Sequence, residues 1–383
     1  MSPQFQYVEW QQNDKNFKYR WYSEAESSPP SELLLIDDTI TAKQALENAR
    51  QGIGMLWVGD YQNGRNLLQA LARRIDKPAR VGALKKELEP SLRFANHRQQ
   101  QKTRAELLGK ILIALNENFV IELRRGQEVF LACREVLGEI TEGIVMPLKQ
   151  LLAIVSAHEW RKKGVFLPSI QDKITPHFGV FSPVRGEYLE LVNAAKLPQE
   201  CDLAFDIGTG TGILSIALAK KGVPKIVATD IDQRAIACAQ ENITKLGMQD
   251  KIELIQSSLF PQGKANLIIC NPPWLPGQPS SSIENAIFDV DSKFLKDFLL
   301  HSREHLHENG QVWLILSDLA EHLGLRTSED LALWIAKGGL SVFTRIDIKA
   351  RHPKTKNADD PLHFARVKET TSLWILEVER QSI

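Results

Sequence analysis

From Leu203 to Leu316 short apolar runs alternate with helical stretches, and that alternation leaves few folds open. The runs 203–207, 225–229, 252–256, 265–270 and 311–316 read as strands. Residues 212–221, 233–246 and 292–305 read as the helices between them. Near-continuous apolar strands are buried on both faces, so the pattern predicts a parallel, doubly wound α/β sheet of Rossmann-like type. Residues 341–348 and 372–379 would close it as an antiparallel pair.

Two motifs punctuate this region. Asp206-Ile207-Gly208-Thr209-Gly210-Thr211-Gly212 follows the first strand and opens a helix. Glycines there let the backbone turn sharply and approach a ligand, and the helix start offers free N–H groups. The spacing is Gly-x-Gly-x-Gly, whereas the dinucleotide fingerprint needs Gly-x-Gly-x-x-Gly and a phosphate on the helix. Asp206 disfavours phosphate and favours a cationic or amino-acid moiety. Asp230, about 20 residues on, ends the second strand and can accept both hydroxyls of a ribose. Asp232 is a competitor, or the cap of the helix that starts at Gln233.

The second motif is Asn271-Pro272-Pro273-Trp274. Two prolines end the strand 265–270, so an amide side chain is held at its carboxyl end, the edge where open α/β sheets bind ligands. The Asn271 side-chain carbonyl and the Pro272 main-chain carbonyl can accept the two hydrogens of a planar amine. Trp274 follows as a ring able to stack on a flat group, worth about 1–3 kcal/mol per stacked base.

Together these residues resemble the class I S-adenosylmethionine-dependent methyltransferases, in the subgroup with an Asn-Pro-Pro-aromatic motif. The resemblance covers residues 174–316. It implies S-adenosyl-L-methionine as cofactor, with its methionine part over Asp206, Gly208, Thr209, Gly210 and Gly212, and its ribose on Asp230. Ser258 and Leu259 would border the adenine, although many relatives carry an acid where Ser258 stands. Asn271, Pro272, Pro273 and Trp274 would be catalytic, and Asn271 would also touch the cofactor. Phe178 and Arg185, in the segment Pro176–Tyr188, would close over the cofactor and substrate. Arg351 would lie in a substrate-side loop. His177 reads as a loop hydrogen-bonding residue.

Substrates in this subgroup are base amines in nucleic acid or glutamine amides in protein. An N-terminal mixed α/β substrate-recognition domain over residues 1–165, before a catalytic domain over 174–383, resembles the ribosomal RNA guanine-N2 enzymes. The release-factor glutamine enzymes have a small helical first domain and Pro-Arg-Pro-Glu-Thr where this chain has Pro183-Val184-Arg185-Gly186-Glu187. The expected partner is therefore RNA, with a protein substrate as the alternative and a catalytically idle cofactor-binding protein as a third reading.

Charge bears on that choice. The 383 residues balance 47 Lys/Arg against 47 Asp/Glu, yet eleven Lys/Arg lie between Arg65 and Arg104. A second basic group is Arg345, Lys349, Arg351, His352, Lys354 and Lys356. Each group is either a polyanion contact or a solvated face. No stretch approaches the roughly 20 apolar residues of a membrane helix. Four cysteines without metal-ligand spacing point to free thiols, no metal and a cytoplasmic setting.

In the first domain, 1–30 reads as an irregular arm, 33–36 and 55–58 as strands, and 41–50 and 66–75 as helices. Residues 103–116 and 146–161 read as helices, and 119–133 as a hairpin. A loop over 164–173 would separate the domains.

Overall fold

The computed structural model describes residues 5–76, 88–183 and 186–379. Its contacts divide the chain into two units, one of residues 1–88 with 96–159, the other of 89–95 with 160–383.

The first unit holds β1 (Tyr7–Gln12), β2 (Lys15–Trp21), β3 (Leu33–Ile36), α1 (Ala42–Arg50), β4 (Gly54–Trp57) and α2 (Tyr61–Ile75). Then come α3 (Pro90–Leu108), whose start belongs to the second unit, β5 (Ile111–Leu115), α4 (Phe130–Leu137), β6 (Ile144–Pro147) and α5 (Leu148–Lys163), whose end belongs to the second unit. Its mixed sheet runs β1-β2-β6-β5-β4-β3. Three expectations fail here. Residues 7–21 form a hairpin, not an irregular arm, because Asn13 and Asp14 take left-handed φ of 49° and 61° in a two-residue turn. The helix expected over 103–116 stops at Leu108. Gly109 breaks it, and the apolar run 111–115 is a buried strand beside β4 and β6. Periodicity alone does not separate such a run from a buried helix. The hairpin expected over 119–133 is a loop followed by α4, since Asn116 Oδ1 captures the Asn118 and Val120 N–H groups at 3.0 and 2.9 Å.

The second unit opens with β7 (Val165–Leu167) and β8 (Asp172–Ile174), a short antiparallel pair where a plain loop was expected. Then come α6 (Glu187–Ala194), β9 (Leu203–Ile207), α7 (Ile213–Lys220), β10 (Lys225–Asp230), α8 (Gln233–Lys245), β11 (Ile252–Gln256) and β12 (Ala265–Cys270). After them lie β13 (Leu275–Pro276), β14 (Phe288–Asp289), α9 (Lys293–Ser302), β15 (Leu306–Ser317), α10 (Leu319–His322) and α11 (Ser328–Lys337). Finally come β16 (Leu340–Lys349), α12 (His363–Arg366) and β17 (Thr370–Val378).

Seven strands run β11-β10-β9-β12-β15-β17-β16, with only β17 antiparallel to its neighbours. Both faces are buried. Ala204, Ala228, Leu267, Ile269 and Trp313 enter one core with helix residues Leu214 and Ile216. Phe205, Ile207, Ile268, Val312 and Leu314 enter the other with Phe298 and Leu299. This two-faced burial explains why the strand runs carry no polar alternation.

The order reverses at β9: its neighbour β10 lies on one side and β12 on the other. Ligands bind at such a switch point, outside the carboxyl ends of the strands. No helix among the described residues is long and apolar enough to cross a membrane.

Candidate active site

Register places three expected residues in one row. Thr229, Ile207 and Cys270 are partners across β10, β9 and β12, so the next residues are Asp230, Gly208 and Asn271. Neighbouring strands lie about 4.8 Å apart.

The glycine loop is held from below. Gly208 N and Thr209 N both donate to Thr229 O, at 2.9 and 2.8 Å. Asp206 is fully buried, and its Oδ2 accepts from Thr209 Oγ1 (2.7 Å), Ser215 N (3.1 Å) and Ser215 Oγ (2.6 Å). Its Oδ1 has no hydrogen-bond partner among the described residues. Gly208, Gly210 and Gly212 take φ of 73°, 55° and 81°, which a side chain would resist. A Cβ at Gly210 would meet nothing within 4 Å, and one at Gly208 only the Phe294 ring at 3.8 Å. Gly212 differs, since a Cβ there would press on Ala239 of α8 at 3.2 Å. Its glycine serves helix packing.

The two acids of the second strand divide their roles. Asp230 Oδ2 accepts from Gly210 N at 2.9 Å and Oδ1 from Asp232 N at 3.0 Å. Burial raises the Asp230 carboxyl above its ordinary range, against those bonds. Asp232 caps α8 through Arg234 N at 2.8 Å. Ser257 N donates to Asp230 O, and Thr229 Oγ1 donates to Leu259 O at 2.6 Å, which ties the turn after β11 to β10. Ser258 in that turn is exposed, and Leu259 packs on the second core.

Asn271 is half-buried, and its Oδ1 accepts the Trp274 indole N–H at 2.8 Å. Pro272 is buried and Pro273 half-buried. Trp274 packs against both cores, so it is not the free-standing ring expected from sequence: its edge and part of its surface are engaged within the protein.

Phe178 is half-buried in a segment fastened to α8. His177 Nε2 and Glu241 Oε2 are 2.8 Å apart, Arg161 also bonds Glu241, and Val180 packs on Ala235 and Cys238. Burial alone would raise the Glu241 carboxyl, but bonds from Lys245, His177 and Arg161 outweigh it and hold it at about 2. Arg185 lies outside the described residues. Arg351 donates to Glu190 at 3.2 Å, and its backbone N–H reaches Glu187. Four members of the second basic group have partners within the protein. Arg345 lies over the Trp374 ring, Lys349 donates to Thr370 Oγ1, and His352 is buried beside Glu369.

Two neighbours of the loop escaped the sequence reading. Ile231 is 69% exposed between Asp230 and Asp232, and an apolar residue between two acids was the available signal. Phe294 reaches Gly208 from a turn in which Asp291 and Ser292 are both left-handed (φ 54° and 53°), stabilised by Asp289 accepting from Phe294 N and Leu295 N. Nothing local in the sequence marks it.

The family model for ribosomal protein L11 methyltransferase (PrmA) matches residues 188–272. A putative protein N5-glutamine methyltransferase of Methanocaldococcus jannaschii is 36% identical over 155 residues, covering 38% of this chain and 77% of that protein. The chain belongs to the class I S-adenosylmethionine-dependent methyltransferases. A tRNA1(Val) (adenine(37)-N6)-methyltransferase of Parabacteroides distasonis is 34% identical over 134 residues, 33% of this chain and 56% of that protein. The ribosomal protein L11 methylase structure from Lactobacillus delbrueckii subsp. bulgaricus covers 55% of this chain and 87% of its own, at 22% identity and a TM-score of 0.37.

The glycine loop is open on the side where side chains would stand at Gly208 and Gly210. The buried, unpartnered Asp206 oxygen suits a cationic group, and each Asp230 oxygen keeps a lone pair beyond its backbone bond. No cluster of three potential metal ligands occurs among the described residues. All four cysteines are free.

Asp206 gives this loop a pH signature. Burial pushes its carboxyl up to about 6, opposed by the bonds from Ser215 and Thr209. The folded value exceeds the ordinary 3.8, so the protonated acid is favoured by folding. That stability is fully present below about pH 4 and is lost as pH rises through about 6. Relative to Asp206→Asn, the wild type should lose ~3 kcal/mol of stability between about pH 4 and about pH 8. Urea unfolding of both proteins measures this, and parallel pH profiles would refute it.

Proposed function

We propose that this methyltransferase methylates a planar nitrogen, the exocyclic amine of a base in ribosomal RNA. The observation that carries the reading is the Asn271 carboxamide, held on the strand end beside the glycine loop. The donor supplies an electrophilic methyl group. Asn271 Oδ1 and Pro272 O accept the two amine hydrogens, which turns the nitrogen lone pair out of conjugation and toward the methyl carbon. The pairing holds both reactants in an attack geometry. No general base is required, because the methylated nitrogen releases its proton to water.

In this reading Asp230 holds the ribose, Ser258, Leu259 and Ile231 border the adenine, and Phe178 covers the site. Arg351 faces the substrate. RNA is supported by the mixed α/β first unit and by Arg73, Arg74 and Lys102, which are exposed on it. Arg104, bonded to Asp76 through two nitrogens, is not part of that footprint, and Lys77, Arg80, Lys85 and Lys86 lie outside the described residues. A glutamine amide presents the same planar NH₂, and the name of the Methanocaldococcus relative favours this second reading.

Tritiated S-adenosylmethionine, incubated with separated ribosomal RNA, transfer RNA and protein, distinguishes the two. Label is expected in ribosomal RNA, with affinity falling on the order of 10³-fold from low to moderate salt. Label in protein, with affinity flat across that range, would overturn RNA in favour of glutamine.

A further inference from the structure

We propose that Trp274 is a positioning residue whose indole N–H decides which end of the Asn271 carboxamide meets the incoming amine. This rests on the reading that Asn271 accepts the amine hydrogens.

A primary amide has two ends of nearly equal size and opposite hydrogen-bonding character. Its oxygen accepts, and its nitrogen only donates. Only the oxygen end can hold an amine through its hydrogens; a flipped amide presents two more donors and repels it. Rotation about the last side-chain bond is soft, so something must choose. The indole N–H is a donor without acceptor capacity, and it lies 2.8 Å from Asn271 Oδ1. The bond exists in one amide orientation and is lost in the other. It occupies one of two oxygen lone pairs and leaves the second for the substrate.

The ring that makes the choice cannot drift. Trp274 packs against both cores, and the two prolines before it have fixed φ. The residue after it is buried Leu275 of β13, whose N–H donates to Ile287 O at 3.1 Å. The donor is therefore anchored by the core and the acceptor by the end of β12. A phenylalanine at 274 would supply a ring and no donor.

Three variants test this: Trp274→Phe removes the donor, Trp274→His keeps a ring N–H at similar reach, and Asn271→Ala serves as reference. S-adenosylmethionine affinity is read by calorimetry, and single-turnover transfer on the fraction that takes label from the wild type. Trp274→Phe should bind the cofactor within about twofold of wild type and transfer about tenfold more slowly at saturating substrate, the worth of one net hydrogen bond. Half-saturation should be nearly unchanged, and Trp274→His should recover part of the rate. Equal rates in Trp274→Phe and wild type overturn the proposal, as does a Trp274→His as slow as Trp274→Phe with cofactor binding intact. If Asn271→Ala transfers normally, the acceptor reading itself fails, a separate result. In the folded wild type, the Trp274 indole proton followed by ¹⁵N NMR should exchange slowly with solvent. Exchange at the rate of a free indole would overturn the proposal without any variant.

Discussion

Asn271→Ala is expected to slow methyl transfer by about 10²–10³-fold, the scale set by deleting one preorganised polar contact to a reacting group. Cofactor affinity should stay within about threefold of wild type. The two effects separate because the groups hang from different strands. The glycine loop follows β9 and is held by Thr229 O, Asp206 and Asp230, whereas the Asn271 side chain is bonded to Trp274. The alanine removes the only side-chain oxygen in the motif and leaves Pro272 O to hold the amine alone. Single-turnover transfer measured beside calorimetry settles the matter; a variant keeping more than about a tenth of the wild-type rate would remove Asn271 from the chemistry.

Asp230→Ala is expected to weaken S-adenosylmethionine binding by about 10²-fold and to leave the rate at saturating cofactor largely intact. Its carboxylate bridges Gly210 N and Asp232 N, so truncation strips an acceptor from the glycine loop and another from the turn into α8. Hydrogen bonds to a charged group are worth about 1.5–3 kcal/mol each, so the loss of a ribose contact and of loop order together reaches that scale. Asp232→Ala provides the contrast. It should cost about 1 kcal/mol of stability through the lost helix cap and leave cofactor affinity alone. Calorimetric affinities in which Asp232→Ala, not Asp230→Ala, shows the large loss would reverse the assignment.

Legibility in the sequence followed the physics of each region. The bounds of β9 and β12 were readable because strands buried on both faces are short and apolar, and these stop at Gly208 and at Asn271-Pro272; β11, at the sheet edge with Glu253 and Gln256 exposed, was read with the same bounds. The same lack of alternation misled at 111–115, where only Gly109 separated strand from helix. The 7–21 hairpin was hidden by its half-exposed polar positions, although Asn13-Asp14 was a usable turn signal. The placement of Asp206, Asp230 and Asn271 was legible because each lies at or beside the carboxyl end of a strand. The Trp274 bond was not, since which atom an indole edge meets depends on how two cores wrap its ring. Phe294 was beyond reach for the same reason: it arrives at Gly208 from eighty-odd positions along the chain. The basic group at 345–356 looked like one cationic patch, yet Arg345 is engaged by Trp374 and Asp347, Arg351 by Glu190 and His352 by Glu369.

The excursions that leave the ends of β12, β15 and β16 emerge on the same rim of the sheet and share a small apolar nucleus of their own. Leu275 and Phe288 come from the first, Leu319 and Leu323 from the second, Leu362 and Ala365 from the third, and Phe94 joins them. This nucleus is separate from the two that sandwich the strands. Those three segments therefore brace one another as well as the sheet, so a change of length in one displaces the apolar partners of the other two.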